Sequence, residues 1–181
     1  LIASLSPKVK SLKIGAYNEP GVEMGPVISK QSQENILSYI DAGVSEGATL
    51  VVDGRAASNE HDGFFVGGCL FDNVTADMSI YTDGILGPVL CVVRLSTYDE
   101  ALALVNDHEY GNGTAIFTRD GDTARHFTHN VQVGMVGVNI PIPVPVAMHS
   151  FGGWKRSLFG GSPIPCLAAV RFSPQRNHTP S

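Results

Sequence analysis

Between Ser29 and Glu46 apolar positions recur every three or four residues, with Ile36, Leu37, Ile40 and Val44 on one face. That period predicts an amphipathic helix, closed by a left-handed residue at Gly47. Residues 1–14 alternate apolar and basic positions and read as the end of a helix, and Asn18-Glu19-Pro20-Gly21 reads as a turn. After the helix, Thr49 to Asp53 predicts a short strand and Gly54 to Gly63 a polar loop. Cys69 to Phe71 reads as a further strand. Val89 to Leu95 is a nearly unbroken apolar run between Pro88 and Ser96, which predicts a strand buried on both faces.

The period then returns to that of a helix. Thr97 with Glu100 three residues on is a capping box, and the helix it opens carries Tyr98, Ala101, Leu102 and Val105 inward. Thr114 to Thr118 predicts a strand. Asp120 caps a helix whose Ala124, Phe127 and Val131 share one face, Gly134 closes it, and Met135 to Asn139 predicts a strand. The order is β-α-β-α-β with short connections. It predicts an α/β fold, an open and mainly parallel sheet with flanking helices, in which 89–95, 114–118 and 135–139 lie side by side.

Ligands of such sheets sit beyond the carboxyl ends of the strands, here Ser96, Thr118 and Asn139. The loop from Ile140 to Gly161 starts at one of those ends and is too long and too rich in proline and glycine for a plain connector. Pro141, Pro143 and Pro145 each fix φ and remove a donor, which predicts a stiff, extended backbone. Ile140, Ile142, Val144 and Val146 give it an apolar side, and Gly152-Gly153 permits a sharp turn.

Composition narrows the class. At 181 residues and 43% hydrophobic the chain has material for one globular domain, or one domain with an appendage. No apolar run is long enough for a membrane helix, so no membrane association is expected. A net charge of −5 argues against a nucleic-acid surface. The basic clusters Lys8, Lys10, Lys13 and Arg171, Arg176, His178 read as solvated faces. The chain starts at Leu1 without a methionine or a signal-peptide pattern, which suggests a fragment or a processed product. Three cysteines with no C-x-x-C pair suit a reducing compartment, and the cytoplasm is expected.

Candidate chemistry is sparse. Cys91 lies inside the apolar run and reads as a core thiol, Cys69 follows Gly67-Gly68 on a strand, and Cys166 sits near the end. None has an electropositive neighbour that would favour a thiolate. His126 and His129 stand three apart on a helix without an evident third ligand, so no metal site is expected. His108 beside Glu109 is a single histidine. Asp120 and Asp122 read as a cap and a first-turn acid. Of the histidines only His149 falls in the candidate loop.

Three segments carry a resemblance. Tyr110-Gly111-Asn112-Gly113-Thr114-Ala115-Ile116-Phe117-Thr118, Gly134-Met135-Val136-Gly137-Val138-Asn139 and Ser150-Phe151-Gly152-Gly153-Trp154-Lys155-Arg156-Ser157 follow one another as in the carboxyl-terminal half of an aldehyde dehydrogenase. The run from Asn139 to Val146 resembles the methylmalonate-semialdehyde dehydrogenase branch, which acylates coenzyme A. Met24-Gly25-Pro26, Tyr39-Ile40-Asp41-x-Gly43, Gly67-Gly68-x-Leu70-Phe71-Asp72 and Gly87-Pro88-Val89 extend the likeness over about 1–160, leaving 161–181 as a divergent tail. Val170-Arg171-Phe172 echoes the family's intersubunit strand, which Pro174 and Pro180 interrupt.

The resemblance implies a portion of the family's catalytic domain, with NAD and coenzyme A as cofactors, malonate or methylmalonate semialdehyde as substrate, and a homo-oligomer. In the family a cysteine thiolate adds to the carbonyl, hydride passes to the nicotinamide and the thioester passes to coenzyme A. That cysteine and the dinucleotide fold are expected upstream of Leu1, so no catalytic residue is assigned within the chain. The family's Glu-Ile-Phe-Gly-Pro reads here as Gly84-Ile85-Leu86-Gly87-Pro88, so Gly84 and Leu86 stand where a ribose-binding glutamate and a phenylalanine are implied. The substrate loop is implied to present Ile140, Pro141, Ile142, Pro143, His149 and Phe151. Three classes follow: part of a semialdehyde dehydrogenase, a non-catalytic remnant or association module, and a binding module for an acyl or coenzyme A group.

Overall fold

The computed structural model describes residues 1–59, 62–144 and 152–157, and the chain divides into two compact units, Leu1–Arg94 and Leu95–Ser181. In the first, helix α1 (Ile2–Lys10) precedes a turn in which Val22 N–H donates to Glu19 O, so the Pro20-Gly21 turn forms as expected. Helix α2 (Lys30–Ser45) starts at Ser29, whose hydroxyl accepts from Ser32 N–H. It ends on Gly47 at φ +102°. Gly47 N–H donates to Val44 O and Ala48 N–H to Gly43 O, the paired bonds of a Schellman cap. The buried stripe of α2 is Ile36, Ile40 and Gly43; Val44, expected inward, is 47% exposed. Gly43 takes its place because Ile80 and Phe71 press against the helix there: a Cβ would lie 2.8 Å from Ile80 Cδ1.

Strands β1 (Thr49–Val52), β2 (Cys69–Val74) and β3 (Val89–Val93) form one sheet in that order. A short 3-10 helix, Arg55–Asn59, follows β1, and helix α3 (Ser79–Thr82) lies between β2 and β3. β1 runs antiparallel to β2, and β2 runs parallel to β3 with Phe71 opposite Cys91. β2 is central, with Cys69, Leu70, Phe71 and Asp72 all buried. Of these, Cys69 and Phe71 meet Ile36, Ile40, Val66, Val74 and Ile80 in one core. Burying each large side chain of this kind contributes about 1.5–3 kcal/mol. Asp72 accepts two bonds from Arg94, Nε to Oδ1 at 2.8 Å and Nη2 to Oδ2 at 2.7 Å. On the surface Arg55 joins Asp53 and Asp41.

In the second unit, helix α4 (Tyr98–Asp107) opens with both halves of the Thr97/Glu100 capping box in place. Strand β4 (Tyr110–Gly111), strand β5 (Gly113–Ile116), helix α5 (Gly121–Asn130), strand β6 (Met135–Val138) and strand β7 (Trp154–Lys155) follow. Phe127, Val131 and Val133 form the core, with Tyr98, Leu102, Val105, Ile116 and Val136 against them. β5 and β6 are parallel neighbours, as expected. β3 is not their partner: it pairs with β2, so among the described residues the three expected strands fall into two sheets. The buried β2 supplies the neighbour. Leu90 of β3 is 46% exposed, so this strand is not buried on both faces as its apolar run predicts. Gly134 does not close α5 either. The helix ends at Asn130, and Gly134 is required by close approach instead, since a Cβ there would lie 1.8 Å from Gly152 O.

The segment 152–157 is held to this unit by Lys155. Its Nζ donates to Asn106 O at 2.6 Å and His108 O at 2.9 Å, and reaches Val105 O at 3.4 Å, covering the carbonyls that α4 leaves unbonded at its carboxyl end. β7 pairs antiparallel with β4, Ser157 Oγ accepts from Gly111 N–H at 2.9 Å, and Arg156 bonds Glu109. Lys155 holds φ at +55°, which a side chain adopts only at a cost.

Lys155→Ala is expected to lower the stability of this unit by about 2–3 kcal/mol, the scale of a charged hydrogen-bond set. Lys155→Gly should lose about 1 kcal/mol less, because glycine relieves the left-handed backbone. Trp154, the single tryptophan, reads both by fluorescence-monitored denaturation; equal losses would contradict the account of the backbone.

A second expectation concerns pH. Arg94 hydrogen-bonds Asp72 and holds its carboxyl below the ordinary value of 3.8. A depressed folded pKa gives stability that is complete above the unfolded value and is lost as pH falls through the folded one. Asp72→Asn should therefore lower the unfolding midpoint at neutral pH and make little difference in strong acid. An equal loss at both would contradict the ion pair's role.

Candidate functional site

The carboxyl ends of β5 and β6 are joined by a side chain. Asn139 N–H donates to Ile116 O at 2.8 Å, the last main-chain step of the parallel ladder. The next step would use the Asn139 and Thr118 backbones. Asn139 instead turns to φ +58°, and its amide takes over: Thr118 N–H donates to Oδ1 and Nδ2 donates to Thr118 O, each at 3.0 Å. The side chain thus extends the sheet by one step while the main chain leaves it. Asparagine suits the task because it tolerates the left-handed region and carries a donor and an acceptor in one planar group.

The chain leaving Asn139 does not run straight out. Ile140 O and Pro143 Cβ come to 2.6 Å and 3.2 Å of where a Gly137 Cβ would stand, and Val144 N–H donates to Ile142 O. The prolines stiffen a segment that doubles back over Gly137, not the extended one expected from their spacing. Phe117, Ile140, Ile142 and Val144 are 65%, 56%, 72% and 65% exposed. The result is an open apolar face beyond the strand ends, where α/β sheets take their ligands. Of the residues implied to line the substrate region, Ile140, Pro141, Ile142 and Pro143 lie here. His149 and Phe151 lie outside the described residues, as do Pro145, Val146, Cys166 and the tail after Ser157.

The segment 84–86 borders a different feature, a cavity of about 350 Å³ in the first unit, lined by Ser29, Ser32, Asn35, Tyr39, Ile85 and Leu86 among others. Leu86 is 89% exposed, and a Cβ on Gly84 would meet open space. The adjoining carboxylate, Asp83, accepts from Tyr39 Oη at 3.0 Å, which raises the tyrosine pKa. Gly84 has no side-chain carboxylate to accept from a ribose hydroxyl, and Leu86 offers no ring. Gly84 and Leu86 thus lack the carboxylate and the ring that the resemblance implies at these positions.

The settings of the two described thiols disfavour the thiolate. Cys69 is buried, with Gly54 N–H donating to its Sγ at 3.2 Å, and Cys91 is half-buried. Desolvation pushes both thiols up, away from the thiolate form. His126 Nδ1 lies 2.9 Å from Tyr98 Oη, which joins α5 to α4, and Asp120 caps α5 through Thr123 N–H. No group of three histidines, cysteines or acids among the described residues is placed to hold a metal. The role of Asn139 was not evident in the sequence; its one signal was an asparagine between a strand and a proline run.

Known proteins place this geometry in a family. The sequence matches the aldehyde dehydrogenase family over residues 1–166. It is 57% identical over 178 residues to the malonate-semialdehyde dehydrogenase of Pseudomonas aeruginosa, covering 97% of this chain and 36% of that protein. The methylmalonate-semialdehyde dehydrogenase of Oceanimonas doudoroffii superimposes with a TM-score of 0.89 at 53% identity, over 96% of this chain and 36% of that one. A Sinorhizobium meliloti protein considered a methylmalonate-semialdehyde dehydrogenase and solved with NAD gives a TM-score of 0.89 at 54% identity, over 94% and 35%. The chain thus spans little more than a third of the length of these relatives, and no helix among its described residues is long and apolar enough to cross a membrane. This chain belongs to the aldehyde dehydrogenase family.

Proposed function

We propose that the chain is part of an NAD-dependent, coenzyme-A-acylating malonate- or methylmalonate-semialdehyde dehydrogenase acting in the cytoplasm. The observation that carries this reading is its identity, along almost its whole length, to a malonate-semialdehyde dehydrogenase. Within it, residues 140–143 form an apolar wall against the carbon chain of a short semialdehyde, with His149 and Phe151 further along the same loop. Asn139 fixes where that wall begins.

Oxidation through the described thiols is disfavoured. A cysteine attacks a carbonyl as the thiolate, and the settings of Cys69 and Cys91 favour the thiol. Residues 84–86 add no side-chain acceptor for a cofactor ribose. A second reading, a non-catalytic association module, draws on the exposed Phe117, Ile140, Ile142 and Val144, an apolar face suited to a second copy or to another segment of a longer protein.

The test combines malonate semialdehyde, NAD and coenzyme A with the purified chain and follows NADH absorbance. No NADH is expected from the chain alone. Turnover abolished by substituting Cys69, Cys91 or Cys166 would overturn that expectation and name the nucleophile. Sedimentation of the same sample over a concentration series is expected to show self-association that Ile142→Asp weakens. A monomer at every concentration would remove the association reading and leave the enzymatic one standing.

A further inference from the structure

We propose that Asn112 is a site of spontaneous deamidation, and that its conversion undoes the pairing of β5 with β6. The inference is independent of the reaction proposed above. Asn112 is followed by Gly113, and both are exposed at a bend between β4 and β5. The side-chain amides of Asn73, Asn106, Asn130 and Asn139 are each hydrogen-bonded. That of Asn112 has no partner among the described residues.

The attacking group is equally free. Met135 N–H donates to Asn112 O at 3.0 Å, so Asn112 faces β6. Successive residues of a strand turn their N–H and C=O groups to opposite edges. The Gly113 N–H therefore lies on the edge of β5 away from β6, and β5 has no other strand partner among the described residues. With no Cβ, Gly113 leaves the approach to the Asn112 side chain unobstructed.

The chemistry balances without any added cofactor. The Gly113 backbone nitrogen bonds to Asn112 Cγ, the bond from Cγ to the amide nitrogen breaks, and ammonia leaves with the proton that Gly113 gives up. The resulting cyclic imide takes up water at either of its carbonyls and opens to aspartate or to isoaspartate. Isoaspartate routes the main chain through the side-chain carbon. That lengthens the backbone just before Gly113 and displaces the carbonyl that accepts from Met135. The Gly113–Met135 to Ile116–Val138 register then has to shift or open.

Gly113→Ala isolates the step. An added Cβ would meet Met135 Cε at 3.7 Å, Met135 O at 3.9 Å and Met135 Cβ at 4.0 Å, ordinary contacts, and Gly113 is not in the left-handed region. The variant is expected to keep the fold while its methyl group hinders ring closure. The purified 181-residue chain is incubated at mildly alkaline pH, digested and mapped by mass spectrometry, with isoaspartate O-methyltransferase labelling as a second readout. Conversion is expected at Asn112 ahead of Asn106 and Asn139, with loss of that conversion in Gly113→Ala. The unfolding transition read by Trp154 should drift downward during incubation of the natural chain and stay fixed in the variant. A folded natural chain that leaves Asn112 intact, under conditions that convert it once the chain is denatured in urea, would overturn the proposal even if the variant failed to fold. So would equal conversion in a folded Gly113→Ala.

Discussion

The Asn139 amide is the contact on which the candidate site depends. A parallel pair of strands ends wherever one chain must leave, and the step beyond exposes an N–H and a C=O on the strand that stays. Here Asn139 covers both on Thr118 with one side chain. Each neutral hydrogen bond is worth about 1 kcal/mol net, and the left-handed backbone costs about 1 kcal/mol or more for a residue other than glycine. The balance is close, which makes the choice of residue decisive. Glycine would relax the backbone and lose both bonds. Aspartate would keep the acceptor and lose the donor. Asparagine alone keeps the backbone tolerable and both bonds made, and it thereby sets the point from which Ile140 to Val144 fold back over Gly137.

A second polar anchor works on the far side of the same unit. The Lys155 ammonium closes the end of α4, and β7 pairs with β4 through residues adjacent to it. Both anchors use a side chain to satisfy main-chain groups that regular structure leaves over, and both sit at residues with positive φ. The first unit is built differently. Its order comes from a hydrophobic centre, β2 between β1 and β3, with the buried Asp72 held by the more exposed Arg94.

Much of this was legible in the sequence because it is local. Ser29 and Gly47 bound α2, Thr97 with Glu100 opens α4, and Asp120 opens α5; each is a short-range device whose residue types announce it. The parallel pairing of 113–116 with 135–138 followed from helix-length connections. What stayed hidden was non-local. The apolar run 89–93 announces a strand but not its neighbour, and only the fold assigns it to β2. Gly134 has the composition of a helix stop and serves as a passage for the Gly152 backbone. Proline spacing predicted an extended loop, whereas the turn at Asn139 and the contact with Gly137 direct it back. Family membership was legible from motifs. Gly84 and Leu86 were legible as departures from the family's motif.

Asn139 extends the ladder and sets where the apolar segment begins, and hydrogen exchange at the Thr118 amide tests this most directly. In the natural chain Thr118 N–H should be protected, because it is bonded to the Asn139 side chain. In Asn139→Ala that protection should be lost, while the Thr114 and Ile116 amides, whose partners lie in the main chain of β6, keep theirs. A Thr118 amide that exchanges at the same rate in both would contradict the account.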